Sequence, residues 1–93
     1  MTWQQVVQAL EEARGEEWRQ FSVRHGDWGR DAALWLGRRY GRYMLAELGQ
    51  LAGGMDYAAV GQAIRRLGRR LEKEPQLRQM VNRVERQLSN VEM

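Results

Sequence analysis

Apolar residues recur along this chain three and four positions apart, and glycines break the pattern at short intervals. That period belongs to helices with one buried face, and the glycines mark their ends. Thr2 followed by Gln5 has the form of a capping box, in which each side chain satisfies a backbone N–H at the helix start. Trp3, Val6, Val7, Leu10 and Ala13 then share a face until Gly15 stops the helix. A short second helix is expected from about Glu16 to Arg24, with Trp18 and Phe21 inward and His25-Gly26 ending it. Asp27 is a good N-cap for a third helix, whose stripe is Trp28, Ala32, Trp35, Leu36 and Tyr40 and which Gly41 closes.

The fourth helix is short, roughly Met44 to Ala52, with Leu45, Leu48 and Leu51 inward. Gly53-Gly54 follow, and two adjacent glycines let the chain reverse sharply. Asp56 caps a fifth helix that continues to about Lys73, with a clean stripe of Val60, Ala63, Ile64, Leu67 and Leu71. Pro75 suits the first turn of a sixth helix. Its stripe is Leu77, Met80, Val81, Val84, Leu88 and Val91. The pattern therefore predicts an all-α fold of about six helices forming a single domain over residues 1–93. Support helices span 2–40, a helix-turn-helix about 44–73, and a C-terminal helix 75–91. The last stripe can complete the core of one chain or pair with a second copy; a monomer is favoured and a homodimer remains open.

Composition narrows the function classes. Without cysteine there are no disulfides or thiolate metal sites, and a single histidine leaves no zinc constellation. No cofactor, metal or small-molecule substrate is expected. No apolar run approaches the ~20 residues of a membrane span. Met1 to Gln5 has no basic region leading into an apolar stretch, so no signal peptide is read there. The expectation is a cytoplasmic, nucleoid-associated protein without a membrane partner. The net charge of +3 is unevenly spread. Residues 1–31 carry four Arg against six acids, whereas residues 32–93 carry eleven basic residues against six acids. The second part has the charge of a polyanion-binding surface.

A short amphipathic helix, a glycine turn and a longer helix with basic residues have the shape of a DNA-binding helix-turn-helix. The major groove, about 12 Å wide, admits one helix. With Val60, Ala63, Ile64 and Leu67 facing the core, the other side of the fifth helix displays Tyr57, Ala58, Gly61, Gln62, Arg65, Arg66 and Arg69. Small Ala58 and Gly61 let the backbone approach a duplex, Gln62 can pair with adenine and Arg65 with guanine. Arg66, Arg69, Arg70 and Lys73 lie further along and suit phosphates. Arg38, Arg39 and Arg42, at the end of the third helix and in its connection to the fourth, form a second group of phosphate candidates.

The stretch Leu45-Ala46-Glu47-Leu48-Gly49-Gln50-Leu51-Ala52-Gly53-Gly54-Met55-Asp56-Tyr57-Ala58-Ala59-Val60, ending in Ala63-Ile64-Arg65-Arg66-Leu67, resembles the C-terminal DNA-binding domain of the bacterial replication initiator DnaA. The resemblance covers about Asp27 to Lys73 and is most specific at Gly53-Gly54-x-Asp56-x-x-x-Val60. It implies a fold like the tryptophan repressor, duplex binding through this segment and a basic loop before it, Asp56 as a base-contacting residue and Val60 as a core position. The family usually carries Asp-His-Thr-Thr-Val where this chain has Asp56-Tyr57-Ala58-Ala59-Val60. Tyr57, Ala58 and Ala59 cannot repeat the hydrogen bonds of the His and Thr pair, so a target other than the initiator's is implied. No P-loop is present, so the chain is not a whole ATP-dependent initiator.

Gly26-Asp27-Trp28-Gly29-Arg30-Asp31, the Gly53-to-Val60 stretch and the Leu88-Ser89-Asn90-Val91-Glu92 tail also look like the DnaA-like extension of some REP-associated tyrosine transposases. Those enzymes use a His-hydrophobic-His site and a nucleophilic Tyr. Only His25 is available here, so this resemblance implies an accessory domain without the catalytic part. A third reading is a protein-interaction module whose Arg-rich face meets an acidic partner. No enzyme activity is expected: Glu11-Glu12 and Glu16-Glu17 read as solvated helix surface, and His25 as a helix-end residue. Trp28 and Trp35 read as core. Trp3 and Trp18 read as packing the first two helices onto the body, and Tyr57 either meets DNA or packs over the fourth helix.

Overall fold

The structure, a computed structural model, describes the backbone of residues 1–92 and the side chains of residues 1–89. The chain forms α1 (Trp3–Arg14), α2 (Trp18–Phe21), α3 (Gly29–Tyr40), α4 (Leu45–Leu51), α5 (Tyr57–Lys73) and α6 (Pro75–Glu92). No strand occurs among the described residues, and the fold is all-α. No helix among them is long and apolar enough to cross a membrane.

Local chemistry sets the helix ends. Thr2 Oγ1 accepts the Gln5 N–H at 3.2 Å, while Gln5 Oε1 accepts the Thr2 N–H at 2.8 Å. Gly15 ends α1 at φ +70°, a left-handed conformation that costs glycine nothing. Asp27 caps α3 from two residues back, its Oδ1 accepting the Gly29 N–H at 2.7 Å. Pro75 opens α6, where its missing N–H leaves no bond unmade.

α3 is the central element. It packs against α1, α4 and α5, while α6 lies against α1 and α5. Val6 and Leu10 from α1, Phe21 from α2, Leu34 and Leu36 from α3, Leu48 from α4 and Val60 and Leu67 from α5 are wholly buried. Val81, Val84 and Leu88 of α6 join them, so its apolar stripe fills the core of a single chain. Burying each such side chain contributes about 1.5–3 kcal/mol. Val91, expected on that stripe, lies outside the described side chains.

Several expectations need correcting. α2 is one turn, not a helix from Glu16 to Arg24, because both those side chains are drawn into an ion network. The Arg24 guanidinium bonds Glu16 at 2.5 Å and Asp27 at 3.0 Å, and the chain bends through Ser22–Gly26 to allow it. Glu11, Glu12 and Glu16 are correspondingly more than solvated surface. Glu11 accepts the Trp18 N–H at 2.8 Å, Glu12 accepts from the Gln87 amide, and Glu16 bonds Arg14 at 3.1 Å. α3 buries more of its circumference than one stripe, since it has neighbours on several sides. Ala33, Leu34 and Gly37 are buried, while Trp28, Trp35 and Tyr40 are only half-buried. Leu51, expected inward, is 43% exposed at the end of α4.

The junction of α1 with α3 is electrostatic as well as apolar. The buried Arg14 guanidinium chelates Asp27 through both Nη atoms and lies over the rings of Phe21 and Trp28 at 4.3 and 4.5 Å. Trp18 bridges Trp3 and Phe21 edge-to-face at 5.4 and 5.5 Å. Burial alone would push the Asp27 carboxyl up. The Arg14 bonds, the Gly29 N–H and the Arg24 charge outweigh it and hold that pKa below the ordinary carboxylate value. The Arg24 bond, with Arg14 beside it, does the same for Glu16.

Because folding lowers both pKa values, the stabilisation is complete above the ordinary carboxylate range and drains away as pH falls below about 4. Thermal melts followed by circular dichroism from pH 7 to 2 should show a steep loss in that window. Asp27→Asn should lower stability at pH 7 by on the order of 3 kcal/mol, because it leaves a buried guanidinium short of its partner. Its acid transition should be shallower than that of the unaltered chain.

Candidate nucleic-acid interface

α4, the turn after it and α5 are joined by a close backbone approach. Gly53 and Gly54 hold φ values of +109° and +95°, so the reversal needs residues without a Cβ. The N–H groups of Gly54 and Met55 both donate to the Gly49 carbonyl, at 2.9 and 2.8 Å. A Cβ at Gly49 would sit 2.0 Å from the Met55 carbonyl oxygen, so α4 also requires glycine there. Asp56 stands at the N-cap of α5, and its carboxylate makes no capping hydrogen bond.

The roll of α5 about its axis is fixed on two sides. Val60, Ala63, Leu67 and Leu71 face the core. On one flank Arg66 donates from Nε and Nη2 to the two oxygens of Asp31 at 2.9 and 3.2 Å. Asp31 is itself buried, at 6% exposure. On the other flank Gly61 faces α4: a Cβ there would lie 3.7 Å from Leu45 Cδ1. Gly61 is therefore half-buried at the α4–α5 junction and not on the outermost face.

With the roll fixed, helical periodicity turns Ala58, Gln62, Arg65 and Arg69 outward along one line, with Lys73 beside its far end. All five are exposed. Arg65, Arg69 and Lys73 have no acidic partner among the described residues. Tyr57 is 64% exposed. Asp56 and Tyr57 mark the start of this face.

Most of the remaining basic candidates are held by the chain itself. Arg70 bonds Glu74 through Nε and Nη2 at 2.7 and 3.0 Å, which raises the Arg70 pKa and lowers that of Glu74. Arg38 Nη1 donates to the Tyr43 carbonyl at 2.7 Å. Arg39 lies 5.1 Å from the Trp35 ring centroid and 3.8 Å from Glu85, which also accepts the Tyr40 hydroxyl. Burial, and then Glu85, push the Tyr40 pKa up. Arg42 is exposed at φ +57°, just ahead of α4, with no acidic partner among the described residues. Periodicity does not assign Asp31 the orienting of Arg66; its place in the first turn of α3, before Ala32-Ala33-Leu34, is the local hint.

Among the described residues no group of three His, Cys, Asp or Glu is arranged to hold a metal ion. No family model, curated protein or solved structure matches the chain.

The glycines of this unit differ in what they tolerate. Gly49→Ala should destabilise by about 1–3 kcal/mol, the cost of forcing atoms into a filled space. Gly68→Ala, in the middle of α5 with nothing within 4 Å of the added Cβ, should stabilise by about 0.5–1 kcal/mol. Urea denaturation midpoints of the two variants check both signs.

Proposed function

We propose that this chain binds double-stranded DNA without catalysis, as a helix-turn-helix of the DnaA C-terminal and tryptophan-repressor type. The observation that carries the reading is the outer face of α5. Ala58, Gln62, Arg65 and Arg69 stand in one exposed line, and neither arginine there has an acidic partner among the described residues. Arg66 and Arg70, one residue further round, are bound by carboxylates. An ordinary solvated helix surface gains from pairing its charges with acids three or four residues away; Arg65 has no acid at those positions, and Arg69, three residues before exposed Glu72, makes no ion pair with it.

The chemistry follows from the groove. The first turns of α5 enter the major groove, with Ala58 small enough to admit the backbone. Gln62 bonds an adenine edge, and Arg65 reaches guanine O6 and N7. Asp56, free of capping duty, can accept from a cytosine amino group, and Tyr57 stands beside it. Arg69 and Lys73 meet phosphates further along, and Arg42 meets them on the α4 side. Arg38, Arg39, Arg66 and Arg70 are secondary candidates, since part of their donors is committed within the chain. The difference between Tyr57-Ala58-Ala59 and the initiator's reading residues supports a different target site.

Fluorescence anisotropy with a mixed-sequence duplex tests this reading. The expected result is affinity that falls steeply as salt rises, because phosphate contacts release counterions. Arg69→Ala should weaken all duplexes alike and reduce the slope of log K against log salt by about 0.9, one phosphate's share. Absence of binding at moderate salt contradicts the reading and favours an acidic protein partner.

A further inference from the structure

A second basic feature borders α5 on the side away from α4. The loop before α3, the start of α3 and the flank of α5 enclose a cleft of about 370 Å³. We infer that this cleft is a phosphate-binding site, with Arg30 as its main free donor and Arg66, Arg70 and His25 around it. The inference rests on the duplex-binding reading only for the source of the phosphate.

Two carboxylates line the cleft, and both are already neutralised: Asp31 by Arg66, and Asp27 by Arg14 and Arg24. Arg30 is half-buried and has no acidic partner among the described residues. Arg66 and Arg70 each commit Nε and Nη2 to a carboxylate, which leaves Nη1 of both to serve another acceptor. The cleft thus offers donors from three guanidiniums and the ring of an exposed histidine. Guanidinium only donates and phosphate oxygens only accept, so the two match in charge and geometry.

Shape and position agree with this. Gly26 lines the cleft at φ +79°. At ~30 Å³ per water molecule, the cleft accommodates a tetrahedral oxyanion with part of its hydration shell. It lies on the Arg66 flank of α5, whereas Gly61 faces α4 and the Arg42 connection on the other. A helix in the major groove has a phosphate backbone on either side of it. Arg42 on one flank and the cleft on the other provide a donor for each.

Arg30→Gln is the informative variant, because Arg30 holds no partner whose loss would disturb the fold; circular dichroism checks that it stays folded. Two measurements are made on both proteins: the salt dependence of duplex binding, and a titration with inorganic phosphate followed by ¹H–¹⁵N resonances of Gly26 and the arginine side chains. If a duplex phosphate fills the cleft, Arg30→Gln reduces the salt slope by about 0.9. If free phosphate fills it, cleft resonances shift and Arg30→Gln binds about tenfold more weakly. Should the unaltered chain bind no duplex, the duplex reading fails and the phosphate titration alone decides. An unchanged or unmeasurable slope together with no Arg30-dependent shift overturns the site.

Discussion

A carboxylate withdrawn from water must be paired, and the pairing of Asp31 with Arg66 governs how this molecule is arranged around the exposed basic face of α5. Asp31 lies in the first turn of the central helix, beside apolar residues that leave it only 6% exposed. Its only ionic partner among the described residues reaches over from α5 in a two-pronged contact. Such a bond fixes direction as well as distance. Apolar packing alone, through Val60, Ala63 and Leu67, would admit some rotation of α5. With Arg66 drawn back to α3, Arg65 on one side of it and Arg69 a turn further on are committed to face outward. Stability and the proposed reading face therefore share one constraint.

The same end of α3 is fastened to α1 by equivalent means. Arg14 reaches across to Asp27, and Arg24 and Glu16 complete the network. Gly29 makes this possible, because a Cβ there would strike Phe21 and Arg14. The amino-terminal helices are thus a support that holds α3, and α3 holds α5. On the other side, the Gly49–Met55 approach fixes α4 against the start of α5. The exposed line of Ala58, Gln62, Arg65 and Arg69 thus has its base held on both flanks.

Much of this was legible in the residues. The 3.6-residue period identifies the helices, and Thr2, Gly15, Gly53-Gly54 and Pro75 mark ends that local chemistry dictates. The outward set on α5 follows from periodicity as well. What periodicity cannot supply is the fate of a charge. Arg65 and Arg66 are neighbours of one type, yet one is exposed without an acid and the other is spent on Asp31, which lies 35 positions away. Spacing likewise shows neither that Arg24 and Glu16 shorten α2 nor that Gly61 turns towards Leu45. Leu51 fits a helical stripe but sits past the last neighbour able to cover it. Each of these depends on contacts between segments far apart in the chain.

The central claim is that the outer face of α5, oriented by Asp31, reads bases. Selection from randomised duplex DNA, run in parallel on the unaltered chain and Arg65→Ala, addresses it most directly. The account predicts an enriched motif for the unaltered chain. For Arg65→Ala it predicts relaxed preference at a guanine position of that motif, a loss of about 1–3 kcal/mol of discrimination. Selection that enriches no motif, or an Arg65→Ala profile indistinguishable from that of the unaltered chain, contradicts it.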